Sequence, residues 1–219
     1  MSPIFITGGS GYIGKRLIKK LVAQGYDVTA LVRAGSENRL PKGVRAIIAD
    51  PFDASTFQNW IPKGAIFIQL LGVSHPSPRK KEQFREIDLR SVKTSADAAA
   101  LAGVSHFIYV SVAMTESEMM KDYRDVRKEG EAYLQAKHLV CTIIRPWYVV
   151  GPGHLWPVTL LPFYGVAKFF PSMKKKAEEM SLITIGQMLG TIMKAIESPP
   201  QTLRIFEIKH IKRKSLPAI

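Results

Sequence analysis

A chain of 219 residues with 46% apolar side chains is long enough to bury one sizeable core, and its 31 basic against 18 acidic residues leave a net charge of +13. One cysteine, Cys141, excludes an internal disulfide framework, and five scattered histidines offer no metal-ligand spacing. No stretch of about 18 apolar residues is free of charge or helix breakers, so no spanning helix is expected, and the absence of finger spacing, a recognition helix or a stacking motif argues against nucleic acid as a partner.

Apolar runs and helical segments alternate along the chain. Residues 3–7 predict a buried strand, and 12–24 carry helical apolar spacing. Between them lies Thr7-Gly8-Gly9-Ser10-Gly11-Tyr12-Ile13-Gly14. Strand, glycine turn and helix form the setting that a dinucleotide-binding turn requires. Gly8 allows the tight turn, Gly11 removes a side chain where backbone approaches a pyrophosphate, and Gly14 lets helix pack on strand. The amides at the helix start then hold the anion.

A second strand is expected at 27–33. Asp27 begins it, on the wrong side for an acid that takes ribose hydroxyls, and Arg33 ends it. A guanidinium there suits a 2′-phosphate, so NADP(H) is expected over NAD(H). Strands follow at 44–49, 65–71, 106–111, 140–145 and 204–208, with helices at 54–60, 80–102, 122–137 and 184–197. The strand at 65–71 ends in Leu71-Gly72, and Gly72 is expected to face Gly8 across the crevice where strand order reverses, letting backbone approach the cofactor ribose. His75 lies in the proline-rich loop that follows. Beyond residue 204 the chain is expected to give one short strand and a basic, disorder-prone end.

Repeated strand–helix units with near-continuous apolar strands imply an α/β fold, a doubly wound parallel sheet. The whole of 1–219 is expected to form one Rossmann domain, with 147–219 contributing a small region that covers the substrate. The apolar segment 155–176, which ends in Lys174-Lys175-Lys176, fits either a cover over the pocket, a dimer contact, or a peripheral membrane or protein contact. The oligomeric state is left open, and a cytoplasmic setting is expected from the lone cysteine and from a first strand with no signal core before it.

The Gly-x-x-Gly-x-x-Gly spacing, with Thr7 and Tyr12-Ile13 around it, resembles the extended and atypical short-chain dehydrogenase/reductases, including epimerase/dehydratase-like and NmrA-like members. The resemblance runs from Pro3 to about Gly153 and includes Arg145-Pro146-Trp147-Tyr148-Val149-Val150-Gly151-Pro152-Gly153. It implies that Asp50 contacts the adenine amino group, that Ser111 polarises a substrate carbonyl and that Tyr123 exchanges its proton. Pro146 and Trp147 would pass beside the nicotinamide. Trp147 and Tyr148 would wall the substrate pocket, with His154 and His75 as further candidate substrate contacts.

In active members of the family a lysine follows the tyrosine by one helical turn. Here that position is Arg127, and Glu131 keeps the helix pattern in register. Arg127 keeps the charge and the reach toward ribose hydroxyls, but its planar guanidinium is not an ammonium. Two classes of function therefore stand. One is an NADP(H)-dependent reductase of a small apolar carbonyl or quinone-like substrate. The other is a non-catalytic NADP(H)-binding sensor or accessory protein. A sugar-nucleotide epimerase or dehydratase is a third reading, and the short region after the sixth strand counts against it.

Overall fold

Seven parallel strands form one sheet in the computed structural model, which describes residues 1–73, 76–115, 120–155 and 180–212. They are β1 (Ile4–Thr7), β2 (Val28–Val32), β3 (Arg45–Ile48), β4 (Ile66–Gln69), β5 (His106–Val110), β6 (Cys141–Ile144) and β9 (Leu203–Phe206), in the order β3-β2-β1-β4-β5-β6-β9. The order reverses between β1 and β4, so the carboxyl ends of these two strands open a crevice directly at Gly8.

Side-chain parity explains why the strands read as unbroken apolar runs. Phe5, Phe67, Phe107 and Tyr109 face one side of the sheet and pack with Leu89, Val92 and Leu134. Ile4, Ile6, Ile66, Ile68, Ile108 and Ile144 face the other and pack with Leu17, Leu21, Met188 and Ile192. The rings of Phe67 and Phe107 stack at 4.9 Å between neighbouring strands. Burying each such side chain contributes about 1.5–3 kcal/mol, and helices on both faces make that burial possible.

One face carries α1 (Tyr12–Ala23) and α4 (Ile185–Glu197), the latter opened by a capping box between Thr184 and Gln187. The other carries α2, residues 81–102, and α3 (Lys121–Ala136). Helix α2 is not uniform: Phe84–Leu89 winds as a π-helix before α-geometry resumes at Arg90–Ala102. A two-stranded parallel ribbon, β7 (Val149–Val150) with β8 (Ile183–Thr184), was not expected from the sequence.

Two further expectations are corrected. Residues 54–60 form no α-helix but two short 3₁₀ turns, Ala54–Thr56 and Gln58–Trp60. Asp53 caps the first through the Ser55 N–H, and the Thr56 hydroxyl bonds back to the Asp53 carbonyl, so local side-chain bonds replace helix propagation. At the other end the strand stops at Phe206, and the basic residues that follow form α5 (Ile208–Lys212), held by buried Ile208 and Ile211. Residues 156–179, and so most of the apolar segment 155–176, lie outside the described residues; Leu155 at its start is exposed. Among the described residues no helix is long and apolar enough to cross a membrane.

Candidate cofactor and proton-transfer site

The glycine turn is shaped by contacts that exclude side chains. Gly8 adopts φ +70°, and a Cβ there would lie 2.7 Å from the Leu70 carbonyl carbon. A Cβ at Gly14 would lie 2.4 Å from the Gly8 carbonyl oxygen. Gly11 is exposed and is the N-cap of α1, whose first turn has no side-chain cap and no acid. Uncapped amides at the positive end of a helix, reached over a glycine, fit the pyrophosphate of a dinucleotide. The Thr7 hydroxyl is turned away from this cradle and donates to Gln69 Oε1, which also accepts from Ser95 while Gln69 Nε2 donates to Ser91. Gly9 is buried against Ile18, and Ser10, Tyr12 and Ile13 are half-buried.

The neighbour of Gly8 across the switch point is the Leu70–Leu71 backbone rather than Gly72. Gly72 lies one step farther on and has a different reason to lack a side chain: a Cβ there would sit 2.5 Å from Arg127 Nη2 and 2.6 Å from Asp88 Oδ1.

Arg33 is exposed one residue past β2. Its carbonyl accepts from the Ser36 N–H at 3.0 Å, and Arg39 Nη2 donates to the buried Ser36 hydroxyl at 2.6 Å. Arg39 therefore joins Arg33 in the same small turn, a second guanidinium that sequence spacing did not single out. Asp50 Oδ1 accepts the Phe52 N–H at 2.9 Å, so this carboxylate shapes its own turn.

The polar cluster under the crevice is built where α2, α3 and β5 meet. Tyr123, Val126, Arg127, Gly130, Glu131 and Leu134 form the buried face of α3, and Lys128 points to solvent, as the helical register requires. Arg127 Nη2 donates to the Tyr123 hydroxyl at 2.9 Å and to Asp88 Oδ1. Arg127 Nη1 donates to the Tyr109 hydroxyl at 3.1 Å and to the Val110 carbonyl at 3.2 Å. Four of the five guanidinium N–H groups are thus engaged within the protein, and only Nε–H has no partner among the described residues.

Asp88 is the residue that sequence reasoning missed. It is fully buried and ion-paired with Arg127, and both its oxygens lie within reach of the Val73 N–H, at 3.3 and 3.2 Å. Its position in the π-wound part of α2 carries no local sequence signal. Burial pushes its carboxyl up, against the pull of Arg127 and the Val73 amide. Burial also pushes up both phenols, Tyr109 to about 12, with Arg127 opposing in each case. Phe84 closes over Tyr123 with ring centroids 4.8 Å apart. Ser111 follows β5, its N–H bound to the Ile144 carbonyl, and its buried hydroxyl has no partner among the described residues.

The segment after β6 packs against the start of α1. Buried Pro146 accepts from the Ala113 N–H, and Trp147 packs against both core clusters with Tyr148 set edge-on to it. His154 Nδ1 donates to the Val149 carbonyl at 2.7 Å, and its ring lies 5.1 Å from that of Tyr12. Arg16 stacks on Tyr12 and donates to the Pro152 carbonyl at 2.7 Å. His75 lies outside the described residues. Among the described residues no cluster of His, Cys, Asp or Glu is set to hold a metal ion.

Comparison with known proteins bears on the family and the fold. The profile of a family described as NAD(P)H-binding matches residues 8–154. The ceramide reductase of Caulobacter vibrioides is 22% identical over 212 residues, covering 96% of this chain and 65% of the relative. The 4-hydroxy-2-methyl-3-oxo-4-farnesyl-3,4-dihydroquinoline-1-oxide ketoreductase of Stigmatella aurantiaca is 29% identical over 189 residues, covering 86% of this chain and 48% of the relative. This chain thus spans between about half and two thirds of the length of these curated relatives. Among solved structures, MoeE5 in complex with UDP-glucuronic acid and NAD superposes with a TM-score of 0.71 at 16% identity, covering 94% of this chain and 76% of that one, which bears on the fold alone. With the family profile spanning two thirds of its length, from the glycine turn to His154, the chain belongs to the NAD(P)H-binding family of short-chain dehydrogenase/reductase type.

Proposed function

We infer that the protein is an NADP(H)-dependent reductase of a small, largely apolar carbonyl or quinone-like compound. The observation that carries this reading is the state of Tyr123: a buried phenol whose oxygen accepts from Arg127, which leaves its own proton to be given away. NADPH, when bound, supplies the hydride. The amides of the Gly8–Gly14 turn would hold its pyrophosphate, Arg33 with Ser36 and Arg39 its 2′-phosphate, and Pro146 and Trp147 would flank its nicotinamide. Ser111 would donate to the substrate oxygen, and Tyr123 would deliver the proton. Two curated relatives named as reductases, one of them a ketoreductase, support reduction of a carbonyl.

The test is NADPH oxidation against a panel of ketones, aldehydes and quinones. On any compound that is turned over, Tyr123→Phe removes one oxygen and keeps the packing, and kcat should fall by about 10²–10⁴-fold, the size of a positioned acid. Unchanged turnover removes Tyr123 from the reaction.

One observation favours a second reading, a cofactor-binding sensor or accessory protein. Arg127 has four N–H groups engaged inside the protein and keeps little to offer a ribose. Calorimetric binding of NADPH without oxidation across the whole panel, in the wild type and in Arg127→Lys alike, is the result this reading expects.

A further inference from the structure

The cluster beneath the crevice holds a fixed number of charges. Asp88 is fully buried and Arg127 is 5% exposed, so neither is screened by water. The charged and titratable groups that face Tyr123 among the described residues are Asp88 from α2, Tyr109 from β5 and Arg127 one turn along α3. Arg127 supplies one positive charge, and Asp88 already matches it. A Tyr123 phenolate would add a second negative charge to the same guanidinium nitrogen and leave the cluster negative in a dry setting. Without Asp88, guanidinium and phenolate would be the matched pair.

The placement of Asp88 is built rather than incidental. Gly72 leaves the space into which Arg127 Nη2 and Asp88 Oδ1 fit, and the Val73 N–H anchors the carboxylate from the segment that follows β4. The π-wound turn of α2 carries Asp88 to this point.

We propose that Asp88 is a positioning residue that reserves the charge of Arg127, keeps Tyr123 a phenol, and so commits the site to giving a proton to a carbonyl rather than taking one from an alcohol. This rests on the reductase reading above. In the forward step the substrate carbon accepts the hydride supplied by NADPH, and the Tyr123 O–H bond breaks as an O–H bond forms on the substrate oxygen. The carbonyl is reduced to an alcohol, NADPH is oxidised to NADP⁺, and the phenolate regains a proton from water. Alcohol oxidation, including the first step of any epimerisation through a ketone, needs Tyr123 as phenolate at the outset and is disfavoured by Asp88.

The test is read on the cofactor-free protein. Near-ultraviolet absorbance follows tyrosine ionisation, and the difference between each protein and its Tyr123→Phe counterpart isolates Tyr123. Asp88→Asn should lower the pH at which Tyr123 ionises by roughly 1–2 units, the effect of removing a nearby buried charge. Asp88→Glu should restore the wild-type value. The Asp88→Asn/Arg127→Gln double variant removes both charges and should ionise within about one unit of wild type; it also serves if Asp88→Asn alone does not fold. An unmoved Tyr123 in Asp88→Asn, or an upward shift of more than about one unit in the double variant, overturns the proposal, because Asp88 then does not cancel Arg127. Failure of every carbonyl to oxidise NADPH would count against the reductase reading and leave the absorbance result standing by itself.

Discussion

Arg33 is exposed just beyond β2, its carbonyl closing a turn onto Ser36 while Arg39 reaches the same serine from the other side. The Arg33 guanidinium, with that of Arg39 held on the Ser36 hydroxyl in the same turn, would suit a dianionic phosphate rather than ribose hydroxyls. A charge-assisted contact of this kind contributes roughly 1.5–3 kcal/mol. Arg33→Ala should therefore weaken NADPH binding by about tenfold or more and leave NADH binding unchanged. Calorimetry with both cofactors checks this, and equal affinity of the wild type for the two would overturn the NADP(H) preference. Arg33 could be singled out in the sequence because a strand end is a local feature. Ser36 and Arg39 could not, because their hydrogen bond belongs to a turn that only the folded backbone defines.

At the level of elements, the same contrast holds between α2 and α3. The register of α3 was readable from Tyr123, Arg127 and Glu131, which share one helical face. Asp88 was not readable as their partner: it lies 39 positions from Arg127, and the π-wound stretch that carries it breaks the 3.6-residue period on which helical reading depends. Residues 54–60 failed for a related reason, since Asp53 and Thr56 offer the backbone local bonds that compete with a helix. The segment after β4 ties these elements together, because Gly72 has room for no side chain beside the ion pair. Gly72→Ala should push Arg127 and Asp88 apart and destabilise the fold by about 1–3 kcal/mol, the usual cost of overpacking a tight site. Urea unfolding would measure this, and a stability equal to wild type would show that the ion pair is free to move.

For the whole molecule, the doubly wound sheet was legible because alternating apolar strands and amphipathic helices leave few other arrangements. The end of the sheet opposite the crevice has its own liability. His106 begins β5, is buried, bonds Thr142 through Nε2 at 2.9 Å and leaves Nδ1 without a partner among the described residues. Burial, with a smaller contribution from Arg204, pushes its pKa down to about 4. The unfolded chain, with an ordinary value of about 6.5, binds this proton more readily. Stability from neutral His106 is therefore complete above about pH 6.5 and is lost as pH falls toward 4, by about 3 kcal/mol in all. Urea midpoints across this range should fall for the wild type and fall less for His106→Gln. Parallel curves for the two proteins would remove His106 as the cause.

The small β7–β8 ribbon has a consequence for how such a chain can change. It sets Val149–Val150 beside Ile183–Thr184, so two points far apart along the chain are held side by side. The ring of His154 on Tyr12 and the grip of Arg16 on Pro152 moor the first point to the first turn of α1, and the capping box at Thr184 moors the second. Closing a loop whose ends already meet costs little more as it lengthens, about 0.6 kcal/mol for each doubling. The sheet, the glycine turn and the Asp88–Arg127 pair therefore depend little on the number of residues between Val150 and Ile183.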